Sequence, residues 1–169
     1  AMVQVPLDYN DLNGDVITLS VMRKNADGQS RGAIFTNPGG PGGSGIQYLE
    51  SYSYAFSSTL QKHFDLISWD PRGVNESSPV DCLSDSELDV FGASEPTPDD
   101  APEIQAFKTL TLQFSSGCLA KSQKILSHIS TTETVKDLDI LRAIVKEEKL
   151  NFIGKSYGTL IGAYYAHMF

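Results

Sequence analysis

Residues 150–169 constrain this chain more than any other stretch. Leu150, Phe152 and Ile153 make a short apolar run that reads as a buried strand, and Leu160 to Phe169 reads as a helix. Between them stands Gly154-Lys155-Ser156-Tyr157-Gly158. A strand that turns directly into a helix through Gly-x-Ser-x-Gly holds its serine in a strained turn with the hydroxyl exposed. Glycines at 154 and 158 suit such a turn, because strand and helix backbones come close together there. A phosphate-binding loop is a competing reading, but it needs another glycine five residues before Gly154, and position 149 is Lys. The plainer alternative is an ordinary Gly-rich turn that binds an anion at a helix N-terminus.

The preceding segments alternate strand and helix. Residues 3–9, with Pro6, suggest a short edge strand, and the Asn-Gly within 10–15 is a turn signal before a second strand over 16–22. Ala33 to Thr36 is apolar enough for a strand buried on both faces. Asn37-Pro38-Gly39-Gly40-Pro41-Gly42-Gly43-Ser44-Gly45 follows, with five glycines in nine residues, a loop whose backbone must approach something closely. A helix is expected over 46–60 and another strand over Phe64 to Asp70, ended by Asp70-Pro71-Arg72-Gly73. Residues 130–149 carry the clearest helical pattern: Thr131 or Thr132 as N-cap, and Val135, Leu138, Leu141, Ile144 and Val145 at helical spacing. This order indicates an α/β fold, mostly parallel sheet with an antiparallel N-terminal hairpin.

Residues 76–129 interrupt the alternation. Asp81 to Glu103 holds eight acidic residues and no basic one, and Pro96, Pro98 and Pro102 are expected to break helices there, so the segment reads as a mobile acidic surface excursion. Cys82 and Cys118 bracket most of it. They are too few and too far apart for a zinc site, and no metal or cofactor is expected. A disulfide between them is the favoured reading, and it implies an oxidising compartment, secreted or at the cell surface. Free thiols in a cytoplasmic protein are the alternative. With 169 residues the chain is long enough for one domain with a real core. Its net charge of −8 argues against nucleic acid and anionic membrane surfaces as partners. No apolar run reaches the roughly 20 residues of a membrane-spanning helix.

A serine hydroxyl is a weak nucleophile unless a base takes its proton and donors stabilise the oxyanion. Ser156 is the candidate nucleophile. The backbone N–H of Tyr157 is one expected oxyanion donor, and that of Gly40, in the Gly-rich loop, is the other. Lys155 reads as a variable position rather than a base. Arg72 reads as half of a buried structural salt bridge, with Asp139 as a possible partner.

Together, the motifs at 37–45, Trp69-Asp-Pro-Arg-Gly-Val74 and Gly154 to Ala166 resemble the proline iminopeptidase branch of the α/β-hydrolases, above all its tripeptidyl aminopeptidase-like group. Iminopeptidases usually begin the Gly-rich motif with His, where this chain has Pro38. The resemblance implies Ser156 as nucleophile, Gly40 and Tyr157 as oxyanion donors, and export; some relatives carry cysteines in the corresponding excursion.

In such a fold the acid and then the histidine follow the serine. His63 and His128 precede Ser156, no acid follows it, and His167 lies eleven residues on within the same helix, roughly 16 Å along its axis. The expectation is therefore that 1–169 are the N-terminal part of one hydrolase catalytic domain. Its Asp, its His and any cap would lie on further polypeptide, either a separate chain produced by cleavage or a continuation of this one. The expected activity is a serine hydrolase, an aminopeptidase releasing residues or short peptides from a free N-terminus. The alternatives are an esterase on small esters, using the same serine, or a non-catalytic binding module.

Overall fold

The computed structural model describes residues 1–169, apart from the side chains of Tyr52 and Ser53. Five strands form one sheet in the order β1-β2-β4-β3-β5: β1 (Met2–Pro6), β2 (Val16–Lys24), β3 (Ala33–Asn37), β4 (Asp65–Trp69) and β5 (Phe152–Gly154). β2 runs antiparallel to both β1 and β4, while β3 is parallel to β4 and β5, so β2 alone opposes the common direction. β2 changes partner midway: Val16 to Ser20 pair with β1, and Val21 to Lys24 with β4. Pro6 closes the outermost strand, where its missing N–H costs no ladder bond.

β3 and β4 are buried along their whole length. Their register sets Ile34 beside Leu66 and Phe35 beside Ile67. Because side chains alternate across a strand, the two pairs belong to opposite faces. Ile34 and Leu66 join Leu49 and Phe56 in one cluster, extended by Met22, Tyr48 and Ile153. On the helical side, Val135, Leu138, Leu141 and Ile161 are buried. Each such side chain contributes about 1.5–3 kcal/mol by leaving water.

The expected helix over 46–60 is three short pieces, α1 (Gly45–Glu50), α2 (Tyr52–Ala55) and α3 (Ser58–His63), with Ser44 and Ser57 as N-caps. Serines at 51 and 57 offer the backbone local alternatives to continuous helix. The helix expected over 130–149 is α6 (Thr131–Ile144); its N-cap is Ser130, whose hydroxyl accepts the N–H of Glu133. α7 (Tyr157–Met168) follows β5.

The chain divides into two compact units, one of residues 1–79 with 128–169 and one of residues 80–127. The second unit is more ordered than its composition suggests. It holds α4 (Asp85–Gly92) and the 26-residue α5 (Ala101–Leu126). Pro102 stands in the first turn of α5, where no N–H is required, and Asp100 caps it, so this proline begins a helix rather than breaking one. Cys118 is on α5 and bonds Cys82. α5 kinks at Ser122, whose hydroxyl accepts from the Asp81 N–H at 2.8 Å and donates to the Asp81 carbonyl at 2.9 Å.

Arg72 is buried and structural, but its partner is Asp137, not Asp139. Nε and Nη2 donate to the two Asp137 carboxylate oxygens at 2.8 and 2.7 Å. Asp139 turns to Arg142 and the Tyr165 hydroxyl. The helix register decides this: Thr134, Asp137, Leu138 and Leu141 are all buried on one stripe, which Asp139 leaves.

Candidate active site

Ser156 is the N-cap of α7, with φ 50° and ψ −124°. A non-glycine residue held there carries strain of about 1–3 kcal/mol. Two backbone bonds and one side-chain bond hold the turn: Gly158 N–H to Lys155 O at 2.7 Å, Thr159 N–H to Ser156 O at 2.9 Å, and the Thr159 hydroxyl to Ser156 O at 2.7 Å. Ser156 itself is exposed. Both flanking glycines are required by space. A Cβ at Gly154 would fall on the carbonyl of Gly158, and one at Gly158 would lie 2.7 Å from the Asn37 carbonyl.

The Gly-rich loop leaves β3 and returns against this turn. Gly39, at φ +92°, makes the approach: a Cβ there would strike the Lys155 carbonyl and stand 2.9 Å from Tyr157 N and 3.0 Å from Ser156 Cβ. Gly40 is the next residue, at φ +114°, and its own neighbours are the amides of Gly42 and Gly43. The backbone N–H groups of Gly40 and Tyr157 donate to no acceptor among the described residues. Tyr157 opens α7, and its hydroxyl meets Thr131 Oγ1 at 2.6 Å, tying α7 to α6.

Two buried residues that carried no role in the sequence reading hold the loop. Asn37, 1% exposed, accepts the Gly39 N–H on Oδ1 at 2.9 Å and the Lys155 N–H on its carbonyl at 3.0 Å. Asp70, fully buried, accepts from Ser44 Oγ at 2.6 Å and the Ile46 N–H at 3.2 Å through one oxygen, and from Asn75 Nδ2 at 2.7 Å through the other. The loop is thus pinned at both ends. The signal for Asn37 was present: an Asn two residues before a Gly is the pattern of an Asx-turn.

Lys155 is drawn away from Ser156; its Nζ sits 4.9 Å from the centre of the Tyr48 ring. None of the histidines hydrogen-bonds Ser156 among the described residues. His63 ends α3, His167 lies in the last turn of α7, and His128 Nδ1 is 3.3 Å from Glu133 Oε1. Asp8, His128 and Glu133 bring ligand-type atoms within 4.8 Å of one another. All three already have protein partners, and the Arg72 guanidinium, 3.9 Å from Glu133, opposes a cation there. No described helix is long and apolar enough to cross a membrane.

Residues 32–169 match a family model described as alpha/beta hydrolase fold. The chain is 38% identical over 173 residues to the tripeptidyl aminopeptidase of Streptomyces coelicolor, covering 99% of this chain and 32% of that protein. It is 40% identical over 168 residues to serine protease Hip1 of Mycobacterium tuberculosis, covering 98% and 32%. It is 34% identical over 146 residues to carboxylesterase B of M. tuberculosis, covering 84% and 28%. The chain therefore spans about a third of the length of the curated relatives it matches. A crystal structure of a hydrolase from Pseudomonas aeruginosa PA01 shares the fold, with a TM-score of 0.50 at 13% identity over 98% of this chain and 40% of that one.

Proposed function

The chain belongs to the α/β-hydrolase family, and from that premise we propose that it carries the nucleophile and oxyanion hole of a serine peptidase acting at free N-termini. The observation that carries the reading is the conformation of Ser156: exposed, at φ 50° as the N-cap of α7, with Gly39 packed against it. Ser156 Oγ attacks the substrate carbonyl carbon as its proton passes to a base supplied by further polypeptide, which later gives it to the leaving amine. The developing negative charge on the carbonyl oxygen is met by the N–H groups of Gly40 and Tyr157, both free to donate, and by the positive end of α7. Collapse of the tetrahedral intermediate breaks the C–N bond, the amine leaves with a proton, and water then hydrolyses the acyl-enzyme.

The base and its orienting acid come from polypeptide beyond Phe169. The positions of the three histidines and the greater length of the relatives support this. Peptide specificity is favoured by the tripeptidyl aminopeptidase and Hip1 relatives, which match over nearly the whole chain. An esterase is the second reading, favoured by the carboxylesterase B relative. The Cys82–Cys118 disulfide favours export, since such bonds persist in oxidising compartments.

A fluorophosphonate probe tests the nucleophile. Labelling of the full-length protein is expected on Ser156 and lost in Ser156→Ala. Unchanged labelling in that variant would overturn the assignment. Tripeptide p-nitroanilides and short-chain p-nitrophenyl esters, compared by kcat/KM, separate the peptidase from the esterase.

A further inference from the structure

We propose that Asn37 is the positioning residue of the oxyanion hole, setting the spacing between the N–H groups of Gly40 and Tyr157; this rests on the reading of Ser156 as nucleophile. Those two donors lie on segments more than a hundred residues apart in sequence. They stabilise an oxyanion only if both point at one oxygen, at 2.7–3.1 Å each. Something must therefore fix the Gly-rich loop against the elbow.

Asn37 touches both sides. Its carbonyl accepts the N–H of Lys155, the residue before the serine, and it is in register with Gly154 in the β3–β5 ladder. Its Oδ1 accepts the N–H of Gly39, the residue before the proposed loop donor. That second bond is an Asx-turn, which bends the chain immediately after the strand and brings Gly39 against Ser156 and Tyr157. Proline at 38 has no N–H and cannot compete for Oδ1. Asn37 also packs against the first turn of α7, for a Cβ on Gly158 would meet its Oδ1 at 3.1 Å. The residue is 99% enclosed, and Nδ2 has no partner among the described residues. The acceptor on Oδ1 is what the position requires.

The test uses the full-length protein. Asn37→Ala removes the acceptor and is expected to lower kcat about 10- to 100-fold with KM nearly unchanged. Affinity for a peptide aldehyde, whose hemiacetal oxygen occupies the hole, should fall by a similar factor, while affinity for the product peptide holds. Asn37→Ser offers a hydroxyl to the same Gly39 N–H and is expected to regain most of the loss. Wild-type kcat in a folded Asn37→Ala overturns the proposal, as does a rise in KM alone. If the alanine variant does not fold, the serine variant decides: kcat within about tenfold of wild type supports the role, and a folded protein as inactive as Ser156→Ala overturns it. Full activity in Ser156→Ala would instead sink the nucleophile reading and the proposal with it.

Discussion

Gly39 and Gly42 have nearly the same φ, +92° and +91°, but different surroundings. A side chain at Gly42 would meet nothing within 4 Å, so Gly42→Ala carries only backbone strain, about 1–2 kcal/mol. Gly39→Ala carries that strain plus collisions with backbone atoms of the elbow, which have no flexible side chain to yield. Chemical denaturation should place Gly39→Ala at least 1 kcal/mol below Gly42→Ala (roughly one non-rotamer-scale clash), and only Gly39→Ala should abolish fluorophosphonate labelling of Ser156. Equal stability and equal labelling would mean that the loop does not pack on the elbow. This contrast was not legible in the sequence. The motif at 154–158 announced its own geometry, because strand, glycine and helix surround the serine on a contiguous stretch. Five glycines between 39 and 45 look alike until the loop is folded against a segment over a hundred residues away. Asn37 was legible only in part: its Asx-turn is local, but its second bond, to Lys155, is not.

At the scale of elements, the strands and α6 followed from apolar runs, helical spacing and turn and cap signals, while α4 and α5 did not. Prolines and acids argued for irregular chain over 76–129, yet both residue types favour helix starts. Pro102 and Glu103 occupy the first turn of α5, and Asp85 and Glu87 that of α4. Position, not composition, determined their effect. Glu87 provides a pH test of this. Its carboxylate accepts the Ser84 N–H at 2.7 Å, the Ser84 hydroxyl at 2.7 Å and Gln113 Nε2 at 3.0 Å. The Ser84 backbone bond, first, and then its hydroxyl hold the Glu87 carboxyl below the ordinary glutamate value of 4.5. A depressed folded pKa means the cap stabilises α4 fully above the unfolded value and is lost as pH falls through the folded one. NMR titration should therefore give Glu87 a midpoint below 4.5, with protection of the Ser84 amide, which donates to Glu87, and of the Leu88 amide falling over the same range. Glu87→Gln should remove the pH dependence of that protection; an unshifted midpoint would contradict the capping role.

Within the larger unit, residues 1–79 with 128–169, one guanidinium joins the end of β1 and the turn after β4 to α6 and the segment before it. Arg72 donates to Asp137 on α6, to the carbonyls of Pro6 and Leu7 at the end of β1, and to the carbonyl of His128 before α6. Tyr9 closes the group, donating to Asp137 Oδ1 at 2.6 Å, and burial, with the Asp137 charge next, pushes its phenol far above the usual range. The sequence suggested a buried Arg72 but not this knot, because three of its five acceptor contacts are to main-chain carbonyls, which no side-chain pattern encodes. Both charges are fully enclosed. Removing either alone strands the other, so Asp137→Leu and Arg72→Met should each cost about 3–5 kcal/mol in equilibrium denaturation. The double variant Arg72→Met with Asp137→Leu should cost less than the sum, by a coupling of about 1–3 kcal/mol, because no unpaired charge remains. It should still fall short of wild type. The carbonyls of Pro6, Leu7 and His128 lose their donor in the double variant, and the residual deficit measures what those three bonds contribute. A strictly additive double variant would mean that the ion pair is not what holds these segments, and that the carbonyl contacts alone do.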